Sequence, residues 1–130
     1  DDTARGFLHS HSYTGSALAC RAALATLDIF AEDDVIAANR ARAARWSALA
    51  APLAAHPRVC GFRHMGMIWA FEVREPGVNF SRRFFEAALG HGVLLRPIGN
   101  TVYFMPPYVA TDAEFGLLVD ATRAVLDALP

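Results

Sequence analysis

The sequence contains no lysine; all 12 basic residues among its 130 are arginines. Schiff-base catalysis, a lysine general base and a P-loop lysine are therefore beyond this chain acting alone. A surplus of either charge is missing too. The formal net charge of −1 lacks the basic excess that nucleic-acid binding needs. Arg40, Arg42 and Arg45 do cluster, but Glu32, Asp33 and Asp34 precede them, the order a helix dipole favours, which reads as a solvated helix. Uninterrupted apolar runs fall short of the ~18 residues that cross a bilayer, and no basic-then-apolar leader opens the chain. Cysteine is scarce. Cys20 and Cys60 stand far apart, so a reducing cytoplasm is the expected location and a bridge is not required.

What is present suits a globular domain: 54% of residues are hydrophobic and 19% charged. A chain of this length removes roughly two-thirds of its unfolded surface from water, enough for a core without staples. Residues 1–15 are polar, carry Gly6 and Gly15, and read as an extended lead-in loop. Residues 16–130 read as a single domain. Ser16 is a candidate cap for a first, tightly packable helix carrying Leu18, Ala22, Ala25 and Ile29. Asp33 or Asp34 is expected to cap a second, striped by Ile36, Asn39, Ala43, Trp46 and Leu53, with Pro52 marking a kink or early stop. Met67, Trp69, Phe71 and Val73 alternate as a strand, with Val59 to His64 as its antiparallel partner and Gly66 near the turn. Asn79 or Ser81 then caps a helix carrying Phe80, Phe84, Ala88 and Leu89. Val93–Arg96 and Thr101–Met105 read as two short strands joined through Gly99-Asn100. Thr111 and Glu114 form a capping box for a last helix striped by Phe115, Leu118, Val125 and Leu129. The order predicts an α+β two-layer domain, a short antiparallel or mixed sheet covered by helices.

Few residues invite chemistry. His9 and His11 could offer two metal ligands from an extended segment, but two ligands are not a site. The hydroxyls of Ser10, Ser12 and Thr14 approach a helix start, an arrangement that can hold a phosphate. Arg96 lies between apolar Val93-Leu94-Leu95 and Pro97, where an arginine fork suits bidentate capture of a carboxylate or phosphate. Tyr103 and Tyr108, with Met105-Pro106-Pro107 between them, add a rigid aromatic wall nearby.

Two segments resemble a known family. Phe7-Leu8-His9-Ser10-His11-Ser12-Tyr13-Thr14-Gly15-Ser16-Ala17-Leu18-Ala19-Cys20 is similar to the stretch after the cofactor lysine in class III, fold-type I, pyridoxal-phosphate aminotransferases. Leu94-Leu95-Arg96-Pro97-Ile98-Gly99-Asn100-Thr101-Val102-Tyr103-Phe104-Met105-Pro106-Pro107-Tyr108 resembles their biotin-biosynthetic branch, where Met-Pro-Pro-Tyr replaces a Pro-Pro-Leu-type ending. The resemblance covers essentially the whole chain, as the C-terminal part and small domain of such an enzyme. It implies pyridoxal 5'-phosphate as cofactor, a homodimer, and transfer of the amino group of S-adenosylmethionine to 7-keto-8-aminopelargonate. It also implies that Ser12, with His11 beside it, lies on the cofactor side, reaching the phosphate held by the neighbouring subunit. Arg96 takes the position that binds the keto-acid carboxylate, with Ser10 and Tyr103 on the substrate side. The family's lysine and its pyridine-holding aspartate have no match here, so the resemblance makes the chain a fragment that is inactive alone, with the cofactor held mainly by a large domain. Another class III transaminase acting on ω-amino acids, and a stand-alone α+β carboxylate-binding module, are the alternatives.

Overall fold

The computed structural model describes residues 12–129, which divide into two compact units meeting at Ala37 and Ala38. In the first, a turn over residues 12–15 leads into helix α1 (Ala17–Glu32). Ser16 occupies the N-cap position with extended backbone but makes no side-chain cap, and its N–H instead closes the turn onto the Tyr13 carbonyl at 2.9 Å. No residue of α1 is buried, so the tight packing expected of its small face is not observed. Asp33 ends α1, its N–H bonded to the Ile29 carbonyl, and Asp34 turns the chain with a φ of 45°.

Helix α2 (Val35–Leu49) begins before the boundary and carries Asn39, Ala43 and Trp46 into the core of the second unit. The stripe expected to run on to Leu53 does so, but across a break. Pro52 has no N–H to give, and the chain restarts as a single turn, α3 (Ala51–Ala54), with Leu53 N–H bonded to the Ala50 carbonyl.

Strands β1 (Val59–Met65) and β2 (Ile68–Val73) form an antiparallel hairpin, and β3 (Thr101–Phe104) adds to β2, giving the order β1-β2-β3. Trp69, Phe71, Val73, Val102 and Phe104 are buried on one face, while Ala70, Glu72 and Tyr103 occupy the half-exposed other. Helices α4 (Phe80–Gly90) and α5 (Asp112–Ala128) join α2 and α3 in the same core, through Phe80, Phe84 and Ala88 and through Phe115, Val119, Val125 and Leu126. The second unit is thus the expected α+β fold, with a sheet antiparallel throughout. Its aromatic centre is Phe115, stacked on Trp46 at 4.4 Å and tilted against Trp69 at 4.9 Å. Both indole N–H groups have acceptors, Asp112 for Trp46 and Ser47 for Trp69.

The hairpin forms as expected but carries an irregularity, and the expected strand over Val93–Arg96 is corrected. Pairing in β1 slips by one residue between Cys60 and Arg63, a bulge at Gly61. The segment Val93–Arg96 is extended but is no strand; Ile98 and Thr101 alone form a bridge there. Val93 and Leu95 are buried while Leu94 and Arg96 are exposed, so the alternation is real. One-sided burial suffices to produce that alternation, and it says nothing about whether a ladder partner is within reach.

Candidate functional site

The site is a hairpin closed at its tip and open along its arms. Ile98 and Thr101 exchange both backbone hydrogen bonds, at 2.9 and 3.0 Å, around Gly99 and Asn100. Asn100 turns its carbonyl the other way, accepting from Val73 N–H at 2.9 Å. By strand alternation Val102 and Phe104 therefore direct their backbone groups to β2, and Tyr103 directs its own away from β2. Extending the register of the Ile98–Thr101 pair by two steps sets Arg96 opposite Tyr103. Among the described residues, however, no backbone hydrogen bond joins Val93–Arg96 to this strand.

The gap between the arms is a cleft of about 430 Å³. Val93, Leu95, Phe104, Met105, Pro106, Pro107, Phe115 and Leu118 give it an apolar lining, and Arg96, Tyr103 and Glu114 supply its polar side chains. Arg96 is exposed and makes no hydrogen bond or ion pair with any described residue. Glu114, the one acid in the lining, is already committed. Its carboxylate accepts from the Thr111 N–H at 2.7 Å and from the Thr111 hydroxyl at 2.8 Å, and these bonds hold it below the usual carboxylate range. An apolar cleft holding a guanidinium that no described residue engages has the chemistry to accept a carboxylate on an aliphatic chain.

The wall after β3 is tied down from α2. Arg42 donates to the Tyr108 carbonyl and to Asn39 Oδ1 at 2.9 Å, and lies over the Trp46 ring at 5.7 Å. Asp112 accepts from the Trp46 indole at 2.6 Å and pairs with Arg45 at 3.3 Å, which lowers its carboxyl below the ordinary value. Two of the arginines read as a solvated cluster are therefore structural anchors. Half-buried Arg42 lies three residues on from buried Asn39, on the side of α2 that Asn39, Ala43 and Trp46 bury, and that spacing was the available signal. Tyr108 does not line the cleft, whereas Glu114, Phe115 and Leu118 of α5 do, a contribution that sequence spacing could not supply.

Arg96 and Tyr103 are brought together. Ser12 lies in the first unit, exposed in the turn ahead of α1. His9, Ser10 and His11 lie outside the described residues. Among the described residues no group of three His, Cys, Asp or Glu side chains could hold a metal, and no helix is long and apolar enough to cross a membrane.

Comparison with known proteins extends this description. The model of the class-III aminotransferase family matches residues 2–126. Over 131 aligned residues the chain is 44% identical to adenosylmethionine-8-amino-7-oxononanoate aminotransferase of Helicobacter pylori, covering 96% of this chain and 30% of that protein. The crystal structure of the enzyme of the same name from Methanocaldococcus jannaschii matches with a TM-score of 0.81 and 29% identity, over 94% of this chain and 30% of that one. An amine transaminase from an uncultivated Pseudomonas species, in its pyridoxal-phosphate-bound form, matches with a TM-score of 0.76 and 28% identity, over 100% of this chain and 32% of that one. The chain spans less than a third of the length of each of these relatives.

Proposed function

The chain belongs to the class-III aminotransferases, and from that premise we propose that it is the carboxylate-recognising part of a transaminase that moves the amino group of S-adenosylmethionine to 7-keto-8-aminopelargonate. The observation that carries the proposal is the cleft, where Arg96 has no partner among the described residues and stands beside an apolar lining. A keto acid with an aliphatic chain matches both features. Its carboxylate meets the guanidinium, its methylenes lie against Phe104, Met105 and Pro106, and Tyr103 completes the polar side.

The pyridoxal phosphate of this family supplies the electron sink for amino-group transfer. The exposed hydroxyl of Ser12 suits a phosphate oxygen, and we assign it, with His11, to the cofactor side across a homodimer; Ser10 joins Arg96 and Tyr103 on the substrate side. No lysine is present to carry the cofactor, so these residues bind and orient, and the chain alone is expected to be inactive. The complete enzyme would work in the cytoplasm.

The test is reconstitution with a lysine-bearing large-domain portion and pyridoxal phosphate, followed by assay of keto-acid amination. Arg96→Ala is expected to raise the KM for the keto acid about tenfold to a hundredfold, the worth of a lost charged hydrogen bond, while leaving the donor's KM near its starting value. Unchanged acceptor affinity would rule the assignment out. Similarity to an omega-aminotransferase of Caulobacter vibrioides, 30% identical over 91% of this chain and 28% of that protein, is compatible with a second reading, a class III enzyme acting on ω-amino acids. Amine transfer from ω-amino acids but not from S-adenosylmethionine would select it.

A further inference from the structure

We propose that Ser81 is a positioning residue for Arg96, acting by holding the hairpin tip from which the arginine is presented; the inference rests on the carboxylate reading of the cleft. Ser81 is the second residue of α4, a place where a hydroxyl usually serves the helix itself. Here it serves another element. Its Oγ donates to the Gly99 carbonyl, 18 residues away, at 2.7 Å, and no side-chain cap is made at the start of α4.

The helix that carries Ser81 is firmly seated, since Phe80 on one side of it is 4% exposed and Phe84, one turn on, is fully buried. The tip is consequently tied from three directions: by Ser81 to Gly99, by Val73 to Asn100, and by the mutual bonds of Ile98 and Thr101. Arg96 stands two residues before that tip, on an arm with no ladder bond of its own. Pro97 is buried and its ring fixes φ, so the joint between tip and arginine is stiff. Orientation of the tip is therefore passed on to the guanidinium, and the Ser81 hydroxyl is the one side-chain bond among the described residues that sets it against α4.

The experiment titrates the full chain with heptanoate and with its neutral amide, heptanamide, following the Arg96 Nε–H signal and the cleft methyls by NMR. Ser81→Ala is expected to weaken heptanoate about fivefold through misorientation of Arg96, with little change for heptanamide and a thermal midpoint lowered by only a few degrees. Ser81→Thr, which keeps the hydroxyl, is expected to restore binding. Wild-type heptanoate affinity in Ser81→Ala, or equal loss for acid and amide, would overturn the inference. Should Arg96→Ala also bind heptanoate normally, the carboxylate reading itself fails, which separates the two. If Ser81→Ala unfolds, Ser81→Cys and Ser81→Thr are compared instead, and equal affinity in that pair counts against the proposal.

Discussion

Gly61 sets the phase of the first strand. With φ at 60° it absorbs the extra residue of the bulge, so that Val59 and, beyond it, Phe62 and His64 share the face of Phe71 and Trp69. The same slip sends Arg63 to the opposite face, where it meets Glu72 at 2.8 Å. A Cβ added at Gly61 would lie 2.2 Å from Glu72 Oε2, so the carboxylate would have to leave its arginine as well as the backbone accept strain. Gly61→Ala is expected to destabilise the fold by about 1–2 kcal/mol. Urea unfolding measures this, and a midpoint equal to wild type would contradict it. Residues whose partners lie far along the chain were the hardest to read from sequence. Arg96 was legible as a candidate because Pro97 and an apolar run flank it. The anchoring role of Arg42 was not, since its acceptor is 66 residues away, and Ser81 read as a possible cap because its true acceptor is 18 residues on.

Elements differ in legibility for the same reason. Helix α5 was readable at its start because the capping box closes within three residues: the Thr111 hydroxyl accepts from Glu114 N–H at 3.2 Å while Glu114 accepts in return. The segment Val93–Arg96 was not, because its status depends on a neighbour it does not reach. The box also has a pH signature. Bonding to Thr111 depresses the Glu114 pKa in the folded state, and bonding to Trp46 and Arg45 does the same for Asp112. A depressed carboxylate contributes stability that is fully present above its unfolded pKa and is lost as pH falls through the ordinary carboxylate range to the folded value. Glu114→Gln is expected to lower the thermal midpoint at neutral pH and to flatten its fall on acidification. An acid limb identical to wild type would show that the box carries no such linkage.

At the scale of the whole molecule, stability and exposure are divided between the two units. Among the described residues every buried side chain lies at Asn39 or beyond, whereas α1 exposes Leu18, Leu24, Leu27 and Ile29. Leu18 and Ile29 belong to the stripe that helical periodicity picks out, whereas Leu24 and Leu27 lie off it, and a period of 3.6 reports which residues share a face and not whether anything covers it. A chain shortened to begin at Val35 keeps α2 whole and loses no buried residue among those described. Its unfolding free energy is therefore expected to stay within about 0.5 kcal/mol of the full chain, the range of surface changes. Loss of these exposed apolar side chains is also expected to reduce self-association, so the shortened chain should sediment as a monomer at concentrations where the full chain is heavier. Since Arg96, Tyr103 and the cleft all lie in the second unit, heptanoate binding should survive the deletion, while Ser12 and any phosphate contact it makes are removed. Retained stability without heptanoate binding would mean that the first unit contributes to the carboxylate site. A large fall in stability would instead mean that the core from Asn39 onward is not self-sufficient.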